Sequence, residues 1–211
     1  MASLQEHLKE IARLDGNLDA VSGARQSLIS EYDADPLAND VVTEAIYRLA
    51  VTTLMQKKDL NAAQDLFKRA SDRKSAPWSP LARTSYALML QARGKHQQAV
   101  FELRRVIGTG PVNAASGTAL VFLSTILRDG RAKPSEIEKA DKERIAALTS
   151  LVAESEAKSA EQAHWKLLLA MAHKEGGSRS ECKKQLEQVV ALGDAAGKET
   201  LAAAREYLKG M

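Results

Sequence analysis

Few side chains in this sequence stand at spacings that do chemistry. Glu161 and His164 are three positions apart, the spacing with which di-metal carboxylate sites project two ligands from one helix turn. Such a site takes a second pair and two further glutamates, and no second Glu-x-x-His occurs. A helix that simply begins at these residues is the plainer reading. His164 and His173 are nine positions apart, on opposite faces of a helix turning ~100° per residue, so they cannot share an ion. His7 and His96 lie among charged residues and read as exposed. Cys182 is the single cysteine, which excludes an internal disulfide; it falls where small residues pack and reads as a structural thiol rather than a nucleophile. "GTGP" at 108–111 follows a helix, not a strand, and so fails the context of a phosphate loop. No Ser/His/Asp arrangement or nucleotide fingerprint is present. The expectation is a protein that is not an enzyme and has no metal or cofactor.

Charge is unevenly spread. Residues 1–56 hold four Lys/Arg and nine Asp/Glu, residues 57–111 hold eleven and four, and the rest hold fifteen and fourteen, giving −5, +7 and +1. Such asymmetry marks a basic binding surface, an internal acidic–basic contact, or only a solvated face. Lys57, Lys58, Lys68, Arg69, Arg73, Lys74, Arg104 and Arg105 would have to share one face to grip phosphates. Many fall on second helices of helical pairs, acids are interleaved, and aromatics make up only 4%, leaving little to stack on bases. The balance argues against nucleic acid. No run of ~18 apolar residues predicts a membrane span. The opening "MASLQEHLKEIARL" lacks the apolar core of a secretory signal, so a cytoplasmic protein is expected.

The elements that carry these residues read as helix throughout. Alanine, leucine, lysine and glutamate are abundant, residues that lose little entropy on entering a helix. No sustained alternation of β-branched and aromatic residues marks a strand. Ser3 with Glu6, Ser135 with Glu138, Ser159 with Gln162, and Ser178 with Glu181 fit the capping box. Asp35–Pro36 and Ser79–Pro80 place a capping oxygen before a proline. Helices are predicted near 3–14, 17–32, 40–57, 60–73, 80–93, 96–107, 113–128, 135–155, 160–175, 179–192 and 195–209. In "LMLQARGKHQQAVFEL", 88–103, Gly94 then falls just past a helix end, where a left-handed residue is wanted.

A repeat follows from that turn. An offset of 36 sets Leu54, Lys58, Ala63, Phe67 and Ala70 over Leu90, Gly94, Ala99, Leu103 and Val106. An offset of 83 sets Ala87, Gly94, Ala99, Leu103 and Val106 over Ala170, Gly177, Cys182, Leu186 and Val189. One hairpin cannot bury its own apolar face, whereas a stack can. The pattern resembles the tetratricopeptide repeat family, whose unit is ~34 residues of helix–turn–helix. Residues 44–77 match through Tyr47, Leu54, Ala63, Phe67, Ala70 and Pro77, and residues 80–111 through Ala87, Leu90, Gly94, Ala99, Leu103 and Pro111. Residues 163–193 match less fully, with Trp165 one position uncertain beside the doubled Gly176–Gly177, and 113–155 carries a longer turn and an overlong helix.

The resemblance implies an all-α fold: a right-handed α-solenoid of antiparallel helix pairs, about four hairpins, with N-terminal helices and a C-terminal capping helix. Residues 1–35 are read as an N-terminal helical segment, 36–211 as the repeat domain, and "ETLAAAREYL", 199–208, as the cap. In the N-terminal segment Leu4, Ile11 and Leu18 are spaced by seven, as are Leu14, Val21 and Leu28, while "DGN" at 15–17 interrupts them. Two short helices packed on the first repeat, or a dimerisation arm, would account for this. The family's groove positions transfer to Arg48, Leu49, Thr52 and Met55; to Thr84, Ser85, Leu88 and Gln91; to Leu120, Val121 and Ser124; and to Leu168, Met171 and Lys174. A carboxylate clamp would need Arg48, Thr52, Ser85, Gly117 and Val121, of which only Arg48 could serve. The resemblance therefore implies an adaptor or scaffold that takes a partner protein's helix or peptide, or else an oligomer formed through the acidic N-terminal helices.

Overall fold

The computed structural model describes residues 3–14, 16–108 and 110–211. Asp15 of the expected turn at 15–17 and Thr109 of the glycine-rich stretch at 108–111 lie outside them. Among the described residues there are eleven α-helices and no strand. They are α1 (Leu4–Arg13), α2 (Leu18–Tyr32), α3 (Asn39–Thr52), α4 (Leu60–Ser71), α5 (Trp78–Ala92), α6 (His96–Ile107), α7 (Ala114–Asp129), α8 (Pro134–Glu154), α9 (Ala160–Glu175), α10 (Arg179–Ala191) and α11 (Lys198–Lys209). A π-helical turn, Thr53–Lys57, prolongs α3. The chain forms two compact units, one ending at Glu102 and one beginning at Leu103. In the first, successive helices from α1 to α5 pack on one another; in the second, successive helices from α7 to α11 do the same.

Each hairpin turns on one residue with positive φ. After α5, Gly94 has φ +72°, its N–H donates to the Gln91 carbonyl at 2.8 Å, and the Lys95 N–H donates to the Leu90 carbonyl at 2.9 Å. These are the two bonds of a Schellman turn, which satisfies carbonyls the helix end leaves open. The same pair of bonds recurs after α9, where Gly177 has φ +79° and the Gly177 and Ser178 amides donate to Lys174 and His173. After α7 the left-handed residue is Arg131, φ +55°, with its amide and that of Ala132 donating to Arg128 and Leu127. Lys58, 36 positions before Gly94, has φ +51°. The turn geometry is thus kept even where a side chain opposes it.

Small and large residues then interlock at the expected register. Ala63, Ala99 and Cys182 are buried, as are Phe67, Leu103 and Leu186, and Ala70, Val106 and Val189. In the first unit Leu28, Val42, Ile46 and Ala70 form one cluster, against which Leu4 and Ile11 of α1 pack. The N-terminal helices therefore rest on the first hairpin of their own chain. In the second unit Leu201 and Ala204 of α11 join Leu186 and Val189, so α11 covers the end of α10 as a cap should. Gly117 of α7 is buried, and a Cβ there would run into the Leu151 side chain of α8; close helix approach is what this glycine permits.

The helix starts differ from expectation in detail. Ser3 and Glu6 form the full capping box, and the bond from the Ser3 N–H holds the Glu6 carboxyl below its ordinary value. Ser159 Oγ accepts from the Gln162 N–H at 3.0 Å, but the Gln162 side chain accepts from Lys158 instead. Ser135 lies inside α8, which begins at Pro134; there Glu136, not Glu138, accepts from the Lys133 N–H. Ser178 makes no side-chain capping bond, and Ser79 sits inside α5, accepting from the Ser75 N–H. The unforeseen box is Asn113 with Ser116 at the start of α7.

A non-glycine residue held left-handed costs roughly 1–2 kcal/mol. Lys58→Gly is therefore expected to raise stability by up to about 1 kcal/mol after the extra freedom of the unfolded chain is subtracted. Gly94→Ala is expected to lower stability by about as much. Urea midpoints followed by circular dichroism check both, and a Lys58→Gly protein less stable than the parent would refute the account.

Candidate functional site

The expected groove residues sit on α3 with its π-turn, and on α5, α7 and α9. On α3, Arg48 is exposed; its Nε donates to Glu44 Oε1 at 2.6 Å and its guanidinium lies 5.2 Å from the centre of the Trp78 ring. Leu49 and Thr52 turn inward, the Thr52 hydroxyl donating to the Arg48 carbonyl. Met55, in the π-turn, is 71% exposed. On α5, which packs on α3, Thr84 is buried while Ser85, Leu88 and Gln91 are half-buried. The first unit thus presents Arg48, Met55, Ser85, Leu88 and Gln91 at the surface of two adjacent first helices.

In the second unit Leu120 and Ser124 of α7 are fully inside, at 4% and 0% exposure. The reason is the turn. Arg131, not Gly130, is the left-handed residue, so α7 stands one position later than the glycine suggested. Counting 37 from the α5 positions gives Val121, Phe122, Thr125 and Arg128, all of which reach the surface in whole or part. On α9, Leu168 and Met171 are half-buried, and Lys174 is exposed with its Nζ 4.8 Å from the Tyr207 ring centre.

The remaining candidates resolve into structural roles. Glu161 Oε1 accepts weakly from the Trp165 indole at 3.4 Å, and His164 is exposed beside it. Among the described residues no three His, Cys, Asp or Glu side chains gather as metal ligands. His7 is not free on the surface: its Nε2 lies 2.8 Å from Glu31 Oε2, and its ring meets Tyr32 edge-on. That contact spans 24 positions, and no local pattern announces it. Cys182 is buried, its Sγ 3.9 Å from Met211 Sδ. Burial pushes its thiol pKa up, partly offset by Lys174, which leaves little thiolate for chemistry.

Several basic residues are tied to acids of their own unit. Asp33 at the end of α2 takes Arg69 and Arg73 at 2.8 Å each. The Arg73 Nε also donates to Asn39 and Thr43, which locks the α4–α5 turn to the start of α3. Arg104 pairs with Glu143 at 2.6 Å. Sequence reasoning missed a further network: Arg128 and Arg144, from α7 and α8, share Asp141 and Glu175. Arg144 is 2% exposed, and an arginine amid helix-forming polar residues gives no sign of burial.

No family model matches the chain, and no curated protein matches it in sequence. Solved structures do. BtubC (BKLC) from P. vanneervenii is 16% identical, with 100% of this chain and 91% of that one covered at a TM-score of 0.59. A Podosopora anserina kinesin light chain protein with nearly identical TPR-like repeats is 16% identical over 92% and 97%, TM-score 0.55. The MamA protein is 14% identical over 90% and 92%, TM-score 0.52. The chain has a tetratricopeptide-like helical repeat fold. Among the described residues no helix is long and apolar enough to cross a membrane.

Leu120→Glu would put a carboxylate into the interior of the second unit, at a cost of several kcal/mol. It is expected to abolish cooperative melting of that unit, seen as loss of helical signal and as Cys182 becoming open to alkylation. A folded Leu120→Glu protein with a shielded thiol would mean that Leu120 faces outward.

Proposed function

We propose that this protein is a cytoplasmic, non-enzymatic adaptor that takes a helix or extended segment of another protein along the first helices of its hairpins. The observation that carries this is the surface of α3 and α5. Met55, a large flexible apolar side chain, stands 71% in solvent, with half-buried Leu88 and Gln91 on the neighbouring helix at the matching register. Thioether side chains adapt to apolar surfaces of varied shape, and a row of apolar anchors bordered by an arginine suits an amphipathic helix. The tetratricopeptide-like fold supports the reading at the level of a protein-interaction scaffold.

The basic second helices support the exclusion of nucleic acid, since Arg69, Arg73 and Arg104 are engaged by acids. The inward positions Leu49, Thr52, Thr84, Leu120 and Ser124 hold the helices rather than the partner. Partner contact is assigned to Arg48, Met55, Ser85, Leu88 and Gln91, with Val121, Leu168, Met171 and Lys174 in the second unit.

Affinity purification of the full chain from its native host, read by mass spectrometry, identifies the partner. Met55→Glu and Leu88→Glu are then each expected to weaken its binding about tenfold or more, the loss of one buried apolar anchor, while the helical signal and melting temperature stay near the parent's. Undiminished binding by both variants would remove these helices from the interface.

A further inference from the structure

The turn between α3 and α4 holds two costly conformations in succession. The π-helical turn Thr53–Lys57 is of a rare kind that recurs at functional sites, and Lys58 after it is left-handed, φ +51°. Packing explains why the chain reverses there, but it does not call for lysine; a glycine, as at Gly94, would reverse it at less cost. Met55 and Leu60, on either side of Lys57 and Lys58 in the chain, are 71% and 53% exposed, and both lysines are exposed as well. The next turn lies against this one: Arg93 Nη2 donates to Asn61 Oδ1, which brings the α5–α6 turn and exposed Lys95 alongside. Residues 55–61 and 91–97 together hold four Lys/Arg and one acid, Asp59. The Asp59 carboxylate is taken by its own helix, accepting from the Asn61 and Ala62 amides at 3.1 and 3.0 Å. Among the described residues no acid pairs with Lys57, Lys58 or Lys95, and Arg93 is held by a neutral side chain. Elsewhere in the unit Arg69, Arg73 and Arg83 are each matched by an acid of the chain. Unmatched cations and exposed apolar side chains thus share one edge.

Building on the adaptor reading, we infer that this edge receives an acidic stretch of the partner protein. An apolar side chain of that stretch lies against Met55 and Leu60, and its carboxylates lie against Lys57, Lys58, Arg93 and Lys95. Opposite charge at the rim of an interface speeds encounter and selects among partners. A basic segment would make the apolar contact at the expense of setting like charges face to face, which is how such a surface rejects it. Nucleic acid is a poorer fit, because its binding without sequence preference combines cations with aromatic rings that stack on bases, and residues 55–61 and 91–97 include no Phe, Tyr or Trp.

Random peptides displayed on phage and selected on the full chain test this. The expected result is enrichment of peptides rich in Asp and Glu around an apolar residue. For the tightest of them, the Lys57→Glu/Lys95→Glu double variant should raise the dissociation constant at least about tenfold at about 50 mM salt, and much less at about 500 mM, with helical signal unchanged. Lys74→Glu, at an exposed lysine of another turn, should leave it as it is. Enrichment of neutral or basic peptides overturns the inference; if those peptides still depend on Met55 and Leu88, the adaptor reading survives. An acidic peptide indifferent to Lys57→Glu/Lys95→Glu overturns it too, as does a selection that enriches nothing. Vesicles of phosphatidylserine and phosphatidylcholine are the second probe. Cosedimentation that Lys57→Glu/Lys95→Glu abolishes, with no acidic peptide selected, would assign the edge to a lipid surface instead.

Discussion

Every hairpin in this protein depends on one residue held in the left-handed region. The first helix ends, a single backbone conformation reverses the chain, and two amide bonds close the carbonyls left behind. Gly94, Arg131 and Gly177 all do this, Lys58 takes the same left-handed conformation at its turn, and only two of the four are glycine. Where the residue is lysine or arginine, the local penalty is offset by what the reversal makes accessible: a second helix laid along the first, with Ala63 or Ala140 packed between them. Backbone geometry is therefore the fixed quantity, and residue type the negotiable one.

Once the turn is set, the seam follows from size. Positions close to the helix–helix contact hold Ala50, Ala63, Ala87, Ala99, Ala163 and Ala170, all fully buried, and larger residues fill the space between the axes. Gly117 is the extreme case, since even a methyl group would meet Leu151. Close packing of this kind leaves few apolar atoms to spare, and ion pairs fix the helices' outer edges. Arg83 donates to Glu102 at 2.6 Å and to the Ser71 carbonyl, which ties α5 to α6 and to the end of α4. Arg144 does comparable work between α8 and α9. A buried pair of this type adds less to stability than its count suggests; its effect is to fix which helix faces which.

The sequence disclosed the fold wherever a signal was local and periodic. The offsets of 36 and 83 recovered Lys58 as the counterpart of Gly94 without any glycine at that position, because the buried residues on both sides kept the period. The third hairpin failed for an instructive reason. Gly130 looks like the turn residue, yet it ends α7 with φ −76° and passes the left-handed role to Arg131. A slip of one position on a helix swings a side chain by ~100°, enough to carry Leu120 and Ser124 from surface to interior. Two of the expected serine caps failed for a related reason: Pro134 and Trp78 begin their helices earlier, so Ser135 and Ser79 are already inside. Contacts such as His7–Glu31 and Asp33–Arg73 join distant positions and leave no periodic trace.

What the hairpins leave at the surface is decided by elimination along the helices. The second helices commit their small residues to the seam and several of their basic residues to acids of their own unit. The first helices commit Leu49, Thr52 and Thr84 inward and keep long side chains outward. Arg48 shows the division at one residue. Its Nε is spent on Glu44 and its guanidinium plane rests on Trp78, so it is held rather than mobile, and little rotamer entropy is left to lose when something docks beside it. Met55 is the opposite case, an unbranched apolar side chain 71% exposed. In the proposed groove, a held cation and an adaptable apolar side chain, both on α3 and its π-turn, would orient a partner and accommodate its shape.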